Sequence, residues 1–228
     1  MVKKEADMEL EKFEKINNEK KEKIIKSAIK EFIEEGFTGA STNTIVKNAG
    51  ISKGSLFNYF ESKENLYIYL VKINMEKLLS NFKERQKAIK NLEFFEGLKF
   101  FVHLNIDFFT KHPETFKFLA KALINSPPEI RENIQQAKRN IQAKVIEYLV
   151  ENCPPNFFIE GINIEALKNM LGILLDVISN KYIEKYDGDI KLLISSTKKR
   201  EKEIDEYLEI LKSLKVMLIL LNLMLFIK

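Results

Sequence analysis

The chain has only one cysteine, Cys153, so no internal disulfide can staple it. Its N-terminus also lacks the apolar core of a signal peptide, and a cytoplasmic protein is expected. Glycine and proline are few, 8 and 5 of 228 residues, while hydrophobic residues reach 45% and charged residues 31%. That balance excludes a disordered chain. Valine is scarce, and Lys, Glu, Ile, Leu and Asn dominate, a composition that favours helices over strands. Long apolar runs are missing too. The one membrane-like stretch, "VMLILLNLMLFI" at 216–227, is far shorter than the roughly 20 residues a spanning helix needs, so no membrane span is expected. Histidine is nearly absent: His103 and His112 have no cysteine, serine or carboxylate at a spacing that makes a catalytic or metal set. His112, before Pro113, reads as a helix-end residue, and Cys153, before two prolines, as incidental. The chain is thus expected to be no enzyme and to hold no metal or cofactor.

Charge of either sign is not in large excess. Thirty-seven basic against 33 acidic residues leave a formal net charge of +4, too mild to indicate a polyanionic partner by itself. Along "KKEADMELEKFEKINNEKKEK" the signs alternate, which reads as a solvated helix or a loose arm.

What is present is a succession of helical patterns, and the fold class expected is all-α. "KKEKIIKSAIKEFIEEGF" repeats Ile24, Ile25, Ala28, Ile29, Phe32 and Ile33 at i, i+3, i+4 spacing, with Gly36 as its stop. Thr42 is placed to cap a short second helix, "NTIVKNA", that buries Ile45 and Val46 and ends at Gly50. Ser52 opens a third short helix, and Ser62 a longer fourth through "KENLYIYLVKINMEKLLSNF". From about residue 90 the helices lengthen and carry more phenylalanine: "LEFFEGLKFFVHLNIDFFTKH", stopped by Pro113; "PETFKFLAKALI"; a long helix opened by Pro127 and Pro128; then "NIEALKNMLGILLDVISNKYIEKY" and "IDEYLEILKSLKVMLILLNLMLFIK". "DGDIKLLISSTKKREKE" is a polar connection between the last two.

Residues 43–62 give a short helix, a tight turn at Ala49, Gly50 and Ile51, and a second short helix: the pattern of a helix-turn-helix, whose second helix enters the DNA major groove. At about 100° per residue Leu56 and Phe60 share an inward face, Gly54, Ser55 and Asn58 point outward, and Phe57 and Tyr59 lie on the flanks. Gly54 has no side chain to hold the helix off the DNA, so the short Ser55 and Asn58 reach base edges. Lys53 and the helix N-terminus offer positive charge and free N–H groups to phosphate. Thr42, Thr44, Tyr59 and Lys63 stand at plausible backbone-contact positions. A three-helix core with no ligand would also tolerate Gly54, but its outward phase favours DNA.

The stretch "KIIKSAIKEFIEEGFTGASTNTIVKNAGISKGSLFNYFESKENLY" resembles the N-terminal domain of the TetR family of bacterial transcriptional regulators, through "EEGF", the threonine before helix two, "NAGISKGSLFNYF" and "SKENL". The resemblance implies a helix-turn-helix domain at 20–66 (motif 43–62), preceded by an arm or helix extension at 1–19 and followed at 67–228 by a helical domain that binds an effector and dimerises. It implies double-stranded operator DNA as partner, with Thr42, Thr44, Ser52, Lys53, Gly54, Ser55, Phe57, Asn58, Tyr59 and Lys63 at the interface. Phe57 stands where the family usually has tyrosine and lacks its hydroxyl; Asn58 replaces a common histidine; Val46 stands where a small alanine is usual.

"MLGILLDVI" and "VMLILLNLMLFI" are apolar nearly all round, which suggests a four-helix bundle made with a second copy through the last two helices. The rival reading is a membrane-associated or partner-binding helix. Most of the 17 phenylalanines read as core. By the resemblance this domain also holds a pocket for an unidentified apolar or aromatic effector, with Phe95, Phe101, His103, Phe108 and Phe116 as candidate lining. The family likeness further implies a repressor released when the effector moves the helix opened by Ser62.

Overall fold

The structure, a computed structural model, describes residues 11–89, 93–154, 157–158, 161–186, 189–196, 199, 202–203, 205–210 and 212–213. Among them there are helices and no strand. They form two compact units. The first takes in the described residues within Met1–Glu76, His112–Lys138 and Ile183–Gly188, and the second those within Lys77–Lys111, Arg139–Tyr182 and Asp189–Lys228.

The first unit opens with a helical turn at 11–14 and then α1, Asn18–Gly39, where the Asn17 side chain accepts from the Glu19 N–H. Ile24, Ala28, Glu31 and Phe32 form its buried stripe. Gly36 (φ 70°, ψ 178°) interrupts the helix in a conformation open essentially to glycine alone. Ser41, not the expected Thr42, caps α2, Thr42–Ala49: Ser41 is extended (φ −104°, ψ 119°) and its Oγ accepts from Thr44 N–H at 3.4 Å, whereas Thr42 is already helical. Glu31 Oε1, itself buried, accepts from the Ser41 N–H at 2.8 Å and so ties the start of α2 to α1. Gly50, left-handed at φ 67° and ψ 37°, closes α2.

Ser52 caps α3, Lys53–Phe60, through the Ser55 N–H at 3.0 Å, and Ser62 caps α4, Lys63–Arg85, through the Asn65 N–H at 3.1 Å. α5 is Phe94–Lys111, α6 Pro113–Asn125, α7 Pro128–Glu151, α8 Ile164–Tyr186 and α9 Ile190–Ser195. Pro113 occupies the first turn of α6, where its missing N–H removes no helical bond.

α6 packs on α1 within the first unit. Phe32, 1% exposed, meets Tyr67 of α4 edge-on at 4.7 Å and Phe118 of α6 at 6.4 Å, with Tyr67 and Phe118 5.3 Å apart. Lys121 donates to the Ile33 carbonyl at 2.6 Å, and Tyr67 bonds Ser126, burial pushing its phenol well above the usual range. The arm is not merely solvated. Phe13 is 0% exposed against Tyr59, Phe60 and Tyr69, and the Lys21 and Tyr69 hydrogen bonds hold the Glu14 carboxyl below its ordinary range despite an opposing effect of burial.

In the second unit Phe82 meets Phe101 at 5.6 Å and Tyr148 at 5.5 Å, both edge-on, and Tyr148 donates to the Gln86 carbonyl. Phe94 and Phe95 pack on Phe157. On α8 Leu171 and Leu175 are buried, while Met170, Ile173 and Val177 are exposed, as is Ile210. The polar connection contains the short α9. The apolar run at 216–227 lies outside the described residues. No helix among the described residues is long and apolar enough to cross a membrane.

Candidate nucleic-acid interface

Gly50 turns the chain from α2 into α3, and the buried Leu56 and Phe60, 2% and 3% exposed, fix which face of α3 looks inward. The opposite face presents Ser52, Lys53, Gly54 and Asn58 exposed, with Ser55, Phe57 and Tyr59 half-buried. A Cβ added at Gly54 would meet only Ser52 Oγ, at 3.9 Å. Nothing inside the molecule therefore requires a glycine there; the space it leaves opens outward. Ser52 and Ser55 hydroxyls bond each other at 2.8 Å, which holds the Ser55 hydroxyl at the N-terminal end of this face. Lys53 Nζ lies 5.9 Å from the Phe57 ring centroid, so the position that lacks a tyrosine hydroxyl sits beside a cation.

Beside α3 is an open depression of about 360 Å³ lined by Ala40, Ser41, Thr42, Phe57, Ser62, Lys63 and Glu64. It brings together the N-termini of α2 and α4, where free N–H groups and hydroxyls suit an anion such as a backbone phosphate. Ser41 and Ser62 also line it, each a capping serine three residues before the N–H that it holds, Thr44 and Asn65 respectively; the spacing of a serine before a helix start is the local signal for both.

Lys63 is differently placed from the expectation of a cation free for phosphate. Its ammonium donates to the carbonyls of Phe37 at 2.8 Å, Ala40 at 3.2 Å and Thr38 at 3.3 Å, and lies 4.7 Å from the Phe37 ring. Three donors meet three acceptors. Thr44, half-buried, gives its N–H to the Ser41 cap. Tyr59 packs on Phe13 and has Lys20 Nζ 6.0 Å from its ring.

Of the candidate effector residues, Phe95, Phe101, His103 and Phe108 lie on α5 in the second unit, whereas Phe116 lies on α6 in the first. Phe95, Phe101 and Phe108 are buried, packing on Phe157, Phe82 and Phe109 respectively, and His103 is half-buried. Among the described residues no group of three or more His, Cys, Asp or Glu is placed to hold a metal ion.

A helix-turn-helix head with an outward small-polar face, joined to a helical body, defines a DNA-binding regulator. Comparison with known proteins agrees. The family described as bacterial regulatory proteins, tetR family, matches residues 24–70, and the tetracyclin repressor-like C-terminal domain matches 92–216. The chain belongs to the TetR family of DNA-binding transcriptional regulators. It is 40% identical over 65 residues to the uncharacterized HTH-type transcriptional regulator YerO of Bacillus subtilis, a match spanning 27% of this chain and only 22% of that protein. It is 25% identical over 162 residues to the HTH-type transcriptional repressor AcnR of Corynebacterium diphtheriae, covering 69% of this chain and 77% of the repressor. The fold is similar to that of Bacillus subtilis FadR in complex with stearoyl-CoA, with a TM-score of 0.56 and 20% identity over 80% of this chain and 96% of that one.

Proposed function

We propose that this regulator is a cytoplasmic repressor that binds a palindromic operator as a homodimer and leaves it when an apolar small molecule binds. The observation that carries the DNA part is Gly54, a helical glycine with no internal reason to be one, in the middle of the outward face of α3. The contact set is Thr42, Thr44, Ser52, Lys53, Gly54, Ser55, Phe57, Asn58 and Tyr59, with Lys63 acting on the loop behind them. Residues 20–66 carry the DNA contacts and 67–228 the effector and dimer functions, α6 of the latter packing on α1. The exposed Met170, Ile173 and Val177 recur at helical spacing on α8 and support a second copy as their cover. Two-fold symmetry in the protein asks for two half-sites about 34 Å apart, hence a palindrome.

Gly54→Ala separates reading from folding. Replacing a helical glycine leaves stability unchanged or raises it by up to about 1 kcal/mol, while the added methyl at the DNA surface lowers operator affinity on the order of tenfold, a misfit worth roughly 1.4 kcal/mol. The check is thermal melting beside binding to a site selected from random DNA; unaltered affinity at the selected site would sink the assignment of this face.

For the effector, the aromatic core around α5 and the stearoyl-CoA complex of the similar FadR favour a long acyl chain as the first ligand class to test. A ligand shifts the operator equilibrium only by its differential affinity for the two states. Stearoyl-CoA is expected to release operator DNA where coenzyme A alone does not. If acyl-CoA and apolar ligands that bind by calorimetry leave operator affinity unaltered, induction by such compounds is wrong.

A further inference from the structure

Phe13 stands in a run of alternating charges, yet its ring is closed off from solvent. Its centroid lies 4.7 Å from Phe60, the last residue of α3, 5.4 Å from Tyr59 just before it, and 5.4 Å from Tyr69 in the second turn of α4. The next residue fastens the strap further. Glu14 Oε1 accepts from the Tyr69 hydroxyl at 2.6 Å, Oε2 accepts from Lys21 Nζ at 2.6 Å, and the Glu14 carbonyl accepts from the same ammonium at 2.9 Å. The turn at 11–14 is thereby tied to α4, to the start of α1 and to the C-terminal end of α3.

The tyrosines of this region differ in what their hydroxyls do. Tyr67 bonds Ser126 and Tyr69 bonds Glu14, and both rings are buried. Tyr59 is half-buried, and among the described residues its hydroxyl has no hydrogen-bond partner. An aromatic side chain has only two torsions, so a ring packed against one face loses most of its remaining freedom before any ligand arrives. Fixing a contact group in advance removes an ordering cost from binding. Lys20, 6.0 Å from the Tyr59 centroid, adds positive charge on the same side chain's surroundings.

We propose that Phe13 is a positioning residue for DNA binding, holding the Tyr59 ring so that its hydroxyl meets a backbone phosphate at the C-terminal end of the recognition helix α3. This rests on reading the outward face of α3 as the DNA contact. The strap itself touches no DNA; it acts through Tyr59.

The test is a double-mutant cycle on the full chain with Phe13→Ala and Tyr59→Phe, measured on the selected operator and on unrelated duplex DNA, at a temperature well below every variant's melting point. Each single change is expected to weaken operator binding on the order of tenfold, as loss of a hydrogen bond to a charged group does. The double variant should be no weaker than the weaker single one. The salt slope should not move, because no charge is removed. Phe13→Met, which keeps apolar bulk but gives up the rigid ring, enters the cycle in place of Phe13→Ala if the latter does not fold. Losses that add in the double variant overturn the proposal, since Phe13 would then act on stability or on another group. Unchanged operator affinity in Tyr59→Phe also overturns it, while leaving the rest of the α3 face to be judged by Gly54→Ala.

Discussion

Changing Lys53, Ser55 and Asn58 together to alanine should abolish sequence-specific binding while leaving a folded, dimerising protein. None of the three is in the core that orients α3, which is Leu56 and Phe60. The Ser52 cap survives, because it is the Ser55 backbone N–H that it holds. Alanine is the best helix former, so α3 itself is not weakened. What disappears is a cation beside Phe57, a hydroxyl and an amide on the exposed face. A bidentate base contact is worth about 1–3 kcal/mol of discrimination, so removing the amide together with the other two groups should cost at least on the order of a hundredfold in operator affinity. Mobility-shift titration measures the loss, and circular dichroism with sedimentation shows whether helix content and assembly persist. Operator binding that survives in a folded variant would mean that another surface reads the DNA.

Lys63→Met is the second large effect, and its signature is the salt slope. The ammonium sits on the carbonyls of Phe37, Thr38 and Ala40, the segment that leads from the end of α1 into the Ser41 cap. Methionine keeps much of the packing and removes the donors, leaving up to three carbonyls to find water. Hydrogen bonds to charged groups contribute about 1.5–3 kcal/mol. A lower melting temperature is expected, with roughly tenfold or greater loss of operator affinity as the N-terminus of α2 shifts by the fraction of an ångström that contact geometry does not tolerate. The slope of log affinity against log salt should stay as it is. A lysine neutralising one phosphate would instead reduce that slope by about one unit. A drop of that size on substitution would place Lys63 on the DNA, the role its position in the sequence suggested.

Several helix boundaries were legible because they are written locally. Gly50, Ser52, Ser62 and Pro113 act within a turn of themselves, and the structure uses each as its chemistry dictates. The inward and outward faces of α3 were legible for the same reason, since helical phase over eight residues accumulates little error. Ser41 and Thr42 differ by one position, and only the extended backbone of Ser41 decides which is the cap. Other features leave no local trace. Phe13 among alternating charges generates no periodicity, and its aromatic partners lie 46 to 56 residues away. The acceptors of Lys63 are backbone carbonyls 23 to 26 residues earlier, which any sequence would supply. Phe116 looks like the phenylalanines of α5 in composition, yet it belongs to the first unit, because α6 packs on α1.

Because the chain leaves the ribosome N-terminus first, the head cannot complete its packing until α6 has been made. Phe32 and Tyr67 emerge early, but the Phe118 ring, the Lys121 ammonium and the Ser126 hydroxyl that complete their surroundings follow some fifty to ninety residues later. The nascent head therefore waits, with two aromatic rings partly uncovered, until α6 has been synthesised; contacts of such sequence separation close slowly and leave apolar surface exposed meanwhile. A head cut from the gene after α4 would be left permanently in that waiting state.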